Sequence, residues 1–186
     1  MIEAVGIVEL TSVGIGFVAQ DAMLKAADVR ILMARTICSG KYIIAVTGKL
    51  AEVEAAVESG LNAIPDGLID HCVVPRMHPD VFRALGQSVD LTVMGAGTDA
   101  NENPKAVGVL ETYSGTSVLE AADTAAKTGR VTLLRIHLAM ALGGKGYALM
   151  AGSVLDVRAA IAAAAEVVRR KGLLVSAVTV TGPSPE

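Results

Sequence analysis

Short runs of apolar and β-branched residues alternate along this chain with segments whose apolar positions recur at helical spacing, and the whole order occurs twice. A period near two marks a strand, and a period near 3.6 marks an amphipathic helix. On that basis residues 4–12, 29–37, 42–48 and 68–75 are predicted strands and 51–61 a helix, with a further helical segment after the first strand. The second series has strands at 106–114, 131–141, 146–152 and 173–180. Its helix at 155–171 is alanine-rich, and Val154, Val157 and Ile161 stand at helical spacing. Gly6, Glu9 and Ser12 return 102 positions later as Gly108, Glu111 and Ser114. The first helical segment of each copy closes on an acid and a lysine four apart, Asp21 with Lys25 and Asp123 with Lys127, a helix-face pair. Each copy thus reads strand, helix, hairpin, helix, strand, an α+β pattern of the ferredoxin-like kind.

The hairpin turns break the register between the copies. Ser39-Gly40-Lys41 recurs as Gly143-Gly144-Lys145, but 104 positions on, so the second copy carries two extra residues before its turn. Cys38 precedes the first turn, and Leu142 holds its place in the second. Residues 86–105 lack any period and contain Gly95, Gly97 and Pro104, which marks a linker. A short helix is predicted before it at 79–85. The expected organisation is a first domain at 1–90, a linker at 91–104 and a second domain at 105–186.

Composition adds one unusual feature. Mean hydropathy is +0.53 and 52% of residues are hydrophobic, yet aromatics make up 3% and tryptophan is absent. An interior of Ala, Val, Leu and Ile with this much apolar surface points to large subunit contacts. The net charge is −3 and no basic stripe is interleaved with aromatics, which argues against a nucleic-acid partner. No run approaches the ~20 apolar residues that span a bilayer, and the N-terminus lacks a basic leader region, so a cytosolic, non-membrane protein is expected. In that reducing compartment Cys38 and Cys72 are expected to be free thiols or metal ligands, not a disulfide.

Several motifs fail for lack of context. Gly14-Ile15-Gly16 with Ala19 matches a dinucleotide fingerprint, but Arg35 and Thr36 stand where a ribose-binding acid belongs. Ser39-Gly40-Lys41 and Gly143-Gly144-Lys145 resemble phosphate loops, yet Tyr42 and Gly146 follow the lysines and a strand follows the turn. Glycine in a hairpin turn is the better explanation. His71 and Cys72 are adjacent on a strand and point to opposite faces, so they cannot chelate one ion, and Cys72 reads as a buried hydrophobe. His137 shares a strand face with Arg135, and His78 lies in a Pro-rich bend. Neither has a nucleophile or carboxylate at a recognisable spacing, so no triad is indicated. Cys38 is different, because a turn exposes its side chain and the amides around Ser39, Gly40 and Lys41 can form a nest that lowers a thiol pKa.

Four segments together, Ala-Val-Gly-Ile-Val-Glu-Leu-Thr-Ser at 4–12, Asp-Ala-Met-Leu-Lys-Ala-Ala at 21–27, Ser-Gly-Lys at 39–41 and Val-Val-Pro-Arg-Met-His-Pro at 73–79, resemble a bacterial microcompartment (BMC) shell domain. The second copy matches at 106–114, at Lys127 and at 143–145. Two unpermuted BMC domains in one chain are similar to the tandem shell proteins, and the resemblance implies a non-enzymatic, pseudohexameric homotrimer that tiles a shell in the cytoplasm. The cysteine-bearing turn paired with a cysteine-free one resembles the iron–sulfur type from propanediol-utilising compartments. That resemblance implies a 4Fe–4S cluster, one per trimer, held on the threefold axis by Cys38 of each subunit. It further implies a pore lined by Cys38, Ser39, Gly40, Leu142, Gly143 and Gly144, electron transfer across the shell, and redox enzymes of the lumen or cytosol as partners. Ser39 stands where that type carries proline. Lys25, Lys127 and Arg76 are similar to the edge residues through which tiles meet other BMC shell proteins. Two other readings are a cluster-free metabolite pore and, from a different class, a ferredoxin-like regulator that binds a small molecule.

Overall fold

The computed structural model of the chain describes residues 4–86 and 105–184, so the linker expected at 91–104 lies outside the described residues. The first repeat runs β1 (Ala4–Leu10), α1 (Val13–Ala26), β2 (Arg30–Thr36), a 3-10 turn (Cys38–Gly40), β3 (Tyr42–Gly48), α2 (Leu50–Asn62), β4 (Leu68–Pro75) and α3 (Pro79–Gly86). The second runs β5 (Ala106–Thr112), α4 (Gly115–Thr128), β6 (Thr132–His137), β7 (Gly146–Gly152), α5 (Val154–Arg170) and β8 (Leu174–Thr181). The strands form two four-stranded antiparallel sheets of the same order, β2-β3-β1-β4 and β6-β7-β5-β8. The duplicated α+β reading is therefore correct.

The described chain forms two compact units. One comprises residues 4–77 with Ser114–Ser117 and Ala139–Gly144; the other holds the remaining described residues, from His78 onward. In the first unit β1 is one of the two inner strands and every residue of it is buried, with Ile7, Val8 and Leu10 wholly inaccessible. Burying each such side chain is worth roughly 1.5–3 kcal/mol relative to exposure. Helices α1 and α2 pack through matching stripes, Gly16, Ala19 and Met23 on one and Val53, Ala56, Val57 and Gly60 on the other. Three- and four-residue spacing puts each set on one face.

Gly6 keeps its place in both repeats for a steric reason. A Cβ there would lie 2.6 Å from Val57 Cγ2 and 2.8 Å from Val53 Cγ1; at Gly108 it would lie 2.8 Å from Ile161 Cγ1 and 2.9 Å from Val157 Cγ1. Gly6→Ala is accordingly expected to destabilise by about 1–3 kcal/mol through overpacking. Urea unfolding at fixed chain concentration checks this, and an unchanged midpoint would contradict the packing described.

Several boundaries differ from the sequence expectation; β1 and β5, predicted to 12 and 114, end at Leu10 and Thr112. Strand β6 ends at His137, whereas a strand was predicted to 141, because Ala139 and Ala141 adopt left-handed backbone (φ 54° and 58°) that no pleated strand tolerates. Strand β2 ends at Thr36, and Ile37 instead closes the hairpin by donating its N–H to Lys41 O at 2.9 Å. Gly86, counted with the linker, is the last residue of α3. Among the described residues no helix is long and apolar enough to cross a membrane.

Candidate functional site

Glu9 is a carboxylate in the middle of an apolar strand and has no exposed surface. Such a charge costs several kcal/mol unless it is paired and hydrogen-bonded. Both requirements are met: Lys41 Nζ donates to Oε1 at 3.0 Å and the Thr116 backbone N–H donates to Oε2 at 3.0 Å. Thr116 lies in the first turn of α4, where amides lack helical partners and the helix dipole favours a negative charge. Asp70 repeats the pattern at the end of the same helix, accepting from Ser114 Oγ at 2.7 Å and Ser117 Oγ at 2.5 Å. Ser114 Oγ in turn accepts from Ser117 N–H at 2.9 Å. All of these residues belong to the first compact unit.

This network was missed in the sequence. In the sequence Glu9 and Ser114 read as repeat markers and Lys41 as a hairpin-turn residue, and nothing there joins them. A carboxylate recurring at 9 and 111 inside hydrophobic strands was the available signal.

Lys41 also leads to the turns. Its Nζ donates to Gly144 O at 3.3 Å, so the lysine that neutralises Glu9 also holds the turn of the second repeat. That turn is left-handed at Ala139, Ala141, Gly143 and Gly144 (φ 54°, 58°, 60° and 86°), while the first is left-handed at Ser39 and Gly40 (φ 64° and 75°). Cys38 sits between them, half-buried. Partial burial pushes its thiol pKa up, but the backbone amide of Gly144, the Ser39 hydroxyl and the amides of Ala141 and Gly143 outweigh burial, and the net shift is downward. The Ser39 Oγ to Sγ separation is 4.0 Å, a weak contact. Iodoacetamide alkylation of Cys38 followed against pH should therefore show a midpoint below the usual thiol range, since the thiolate is the nucleophile. A midpoint at or above that of a free cysteine would contradict the amide contacts.

Of the other pore-lining candidates, Ser39, Gly40, Leu142 and Gly143 are exposed, while Gly144 is buried beneath Lys41. Cys72 is buried, as expected, and neither cysteine forms a disulfide. His71 is exposed on the opposite face of β4. His137 stacks on Tyr147 with ring centroids 5.2 Å apart. Lys25 is highly exposed and paired to Asp21 at 2.6 Å; Lys127 pairs with Asp123 at 2.6 Å, and Asp123 also accepts from His78 N–H at 2.7 Å. Arg76 is exposed and left-handed (φ 49°). Among the described residues no group of three or more His, Cys, Asp or Glu could hold a metal ion within one chain.

A duplicated β-α-β-β-α-β unit whose copies differ in their hairpin turns is what the comparisons also find. The BMC domain profile matches twice, at residues 4–77 and 106–183, and the chain belongs to the BMC domain family as a tandem member. The bacterial microcompartment shell protein PduT of Citrobacter freundii is 40% identical over 175 residues, covering 94% of this chain and 90% of that protein. A carboxysome shell protein of Prochlorococcus marinus, CsoS1, is 35% identical over 86 residues, which is 45% of this chain and 84% of that protein. Among solved structures, a microcompartment protein from Desulfitobacterium hafniense is 37% identical with a TM-score of 0.76, covering 99% of this chain and 97% of the other. A fused permuted hexameric shell protein of the RMM microcompartment shares the fold at 20% identity and a TM-score of 0.64, over 90% of this chain and 82% of that one. The protein is a structural shell protein of the bacterial microcompartment type, similar to PduT.

Proposed function

We propose that this protein is a homotrimeric shell tile whose central pore holds a 4Fe–4S cluster through one Cys38 from each subunit. The supporting observation is Cys38 itself: a half-buried thiol at a turn, its pKa lowered by the Ser39 hydroxyl and by the backbone of the second repeat's turn. This donor chemistry fits an iron–sulfur group, which is held by thiolates and tuned by hydrogen bonds to sulfur. A single chain offers one such ligand, so the others come from further copies. When bound, the cluster would supply one-electron transfer, here across the shell toward redox enzymes on either side. The chain's own contribution is to present the sulfur and to keep it polarised.

The repeats support the trimer. In the second repeat Val118, Leu119, Ala121, Ala122 and Ala125 of α4 are buried. In the first, Val13, Phe17, Val18 and Leu24 of α1 are 37%, 58%, 52% and 40% exposed. Phe17 occupies the place of Leu119, which is buried on α4, whereas Gly16, Ala19 and Met23 are buried like their α4 counterparts, so Phe17 and its exposed apolar neighbours on α1 form the face left for a second copy. A second copy covering it head to tail generates a closed ring. Lys25, Lys127 and Arg76 then belong to the tile edges that meet other shell proteins in the cytoplasmic compartment shell.

Anaerobic purification with iron and sulfide analysis beside analytical ultracentrifugation tests this reading. The expected result is a three-chain particle with about four irons and four sulfides per trimer. A colourless trimer after reconstitution would instead support the cluster-free metabolite pore, which the exposed, uncharged Ser39, Gly40, Leu142 and Gly143 also suit. A monomer would remove the tile.

A further inference from the structure

The face of the first sheet that carries Glu9 is closed. Asp70, Cys72 and Val74 of β4 lie opposite Glu9, Ile7 and Val5 of β1, so the six side chains share one face, and none of these residues is more than 7% exposed. At Glu9 the cover is the segment Ser114–Ser117. Thr116 N–H donates to Glu9, the hydroxyls of Ser114 and Ser117 donate to Asp70, and a Cβ on Gly115 would lie 3.6 Å from Glu9 Oε2. In the second sheet Ser176, Val178 and Val180 of β8 lie opposite Glu111, Val109 and Val107 of β5 in the same register. That face is open: Val178 and Val180 are 48% and 45% exposed, and Glu111, Val109 and Ser176 are half-buried. Glu111 accepts from Ser176 Oγ at 2.9 Å, and no lysine pairs with it among the described residues. The covering segment has a counterpart 102 positions earlier, residues 12–15, of which Val13 and Gly14 are exposed, followed by Phe17 and Val18 at 58% and 52% exposure. Each chain therefore carries one open face and one exposed segment of the kind that closes it.

We infer that the open face around Glu111 receives residues 12–18 of a second copy of this chain: Gly14 N–H of the partner subunit donates to the Glu111 carboxylate as Thr116 N–H does to Glu9, and Lys145 pairs with Glu111 as Lys41 does with Glu9. The inference rests on the proposed ring of three chains and adds which surfaces meet in it and what charge lies between them. The two covering segments start their helices alike. Ser12 Oγ accepts from Ile15 N–H at 3.3 Å, as Ser114 Oγ accepts from Ser117 N–H at 2.9 Å, so the amide at Gly14, like that at Thr116, is a helix-start donor without a helical partner, at the positive end of the dipole. The lysines match as well. Lys145 precedes β7 as Lys41 precedes β3, and the next residue pairs with the end of the inner strand in both sheets, Gly146 with Thr112 and Tyr42 with Leu10. Where the contacts differ, the second is poorer in charge: Ser176 replaces Asp70 and Ile15 replaces Ser117. Of the two carboxylates only Glu111 is kept, and closing the face removes its water, so Lys145 becomes the counter-charge on which the contact depends.

Sedimentation equilibrium of the full chain over a dilution series tests this. In Lys145→Met the chain concentration at half-dissociation is expected to rise at least about a hundredfold, because assembly seals Glu111 without a counter-charge; adding Glu111→Gln should restore most of the loss. The urea midpoint of the dissociated chain should stay at the wild-type value, since Glu111 is half-buried there and reaches water. A second pair of variants does not depend on that charge. Val178→Arg puts a cation on the open face and is expected to abolish assembly, whereas Ala177→Arg, on the other face of the same strand, leaves it intact. Wild-type assembly in Lys145→Met and Val178→Arg, or equal loss in Val178→Arg and Ala177→Arg, would overturn the inference and leave the trimer standing. A wild type that is monomeric at every concentration would remove the proposed tile, and this contact with it.

Discussion

Anaerobically purified Cys38→Ala is expected to contain no iron or sulfide and no visible absorption, while it sediments as the same oligomer as the wild type. The loss is total, not graded, because the substitution removes the single thiolate each chain contributes, so a trimer falls from three ligands to none. Cys72 cannot substitute for it: that thiol is buried within the first unit. Fold and assembly should survive, because Cys38 is half-buried at a turn outside the core, where substitutions usually cost within about 0.5 kcal/mol. Iron retained at the wild-type level would remove Cys38 from the site; loss of iron together with loss of the oligomer would make the cysteine structural.

Lys41→Met should be the most damaging substitution in the first unit, with an expected cost of about 3–5 kcal/mol. The lysine side chain is 17% exposed and Glu9 is 0% exposed, so the variant leaves a carboxylate sealed in an apolar strand with one amide donor and no counter-charge. The attraction of the pair matters less here than the penalty for leaving one member alone. Glu9→Gln combined with Lys41→Met should therefore recover most of the loss, because a neutral amide still accepts from Thr116 N–H and no buried charge remains. Urea unfolding of the four variants at one chain concentration checks this. Additive losses in the double variant would mean that Glu9 and Lys41 act independently, contrary to the geometry.

Much of the fold was legible because periodicity is a local property and this chain shows it twice. Helix α2 was placed within a residue at each end, and so was α5, since alanine-rich helical spacing runs unbroken to the glycine after Lys171. The end of β6 was not legible: nothing about alanine announces a left-handed backbone, and Lys41, which binds the same turn at Gly144, lies 103 positions away. The candidate site divides in the same way. Cys38 could be singled out from a turn and a thiol, both local. The contacts of Lys41 with Gly144 and of Glu9 with Thr116 depend on which segments the fold brings together, and no spacing records that. Lys41 was misjudged for the same reason, since its function lies in joining Glu9 to Gly144, two residues that sequence reading had no cause to connect.

The proposed cluster requires three copies of Cys38 meeting around one axis with iron between them. Anomalous diffraction at the iron edge, from crystals grown without oxygen, tests that most directly. The predicted result is a single iron peak on a threefold axis, bonded to Cys38 Sγ of three chains; a threefold axis with no iron beside those sulfurs, or sulfurs far from any such axis, would contradict it.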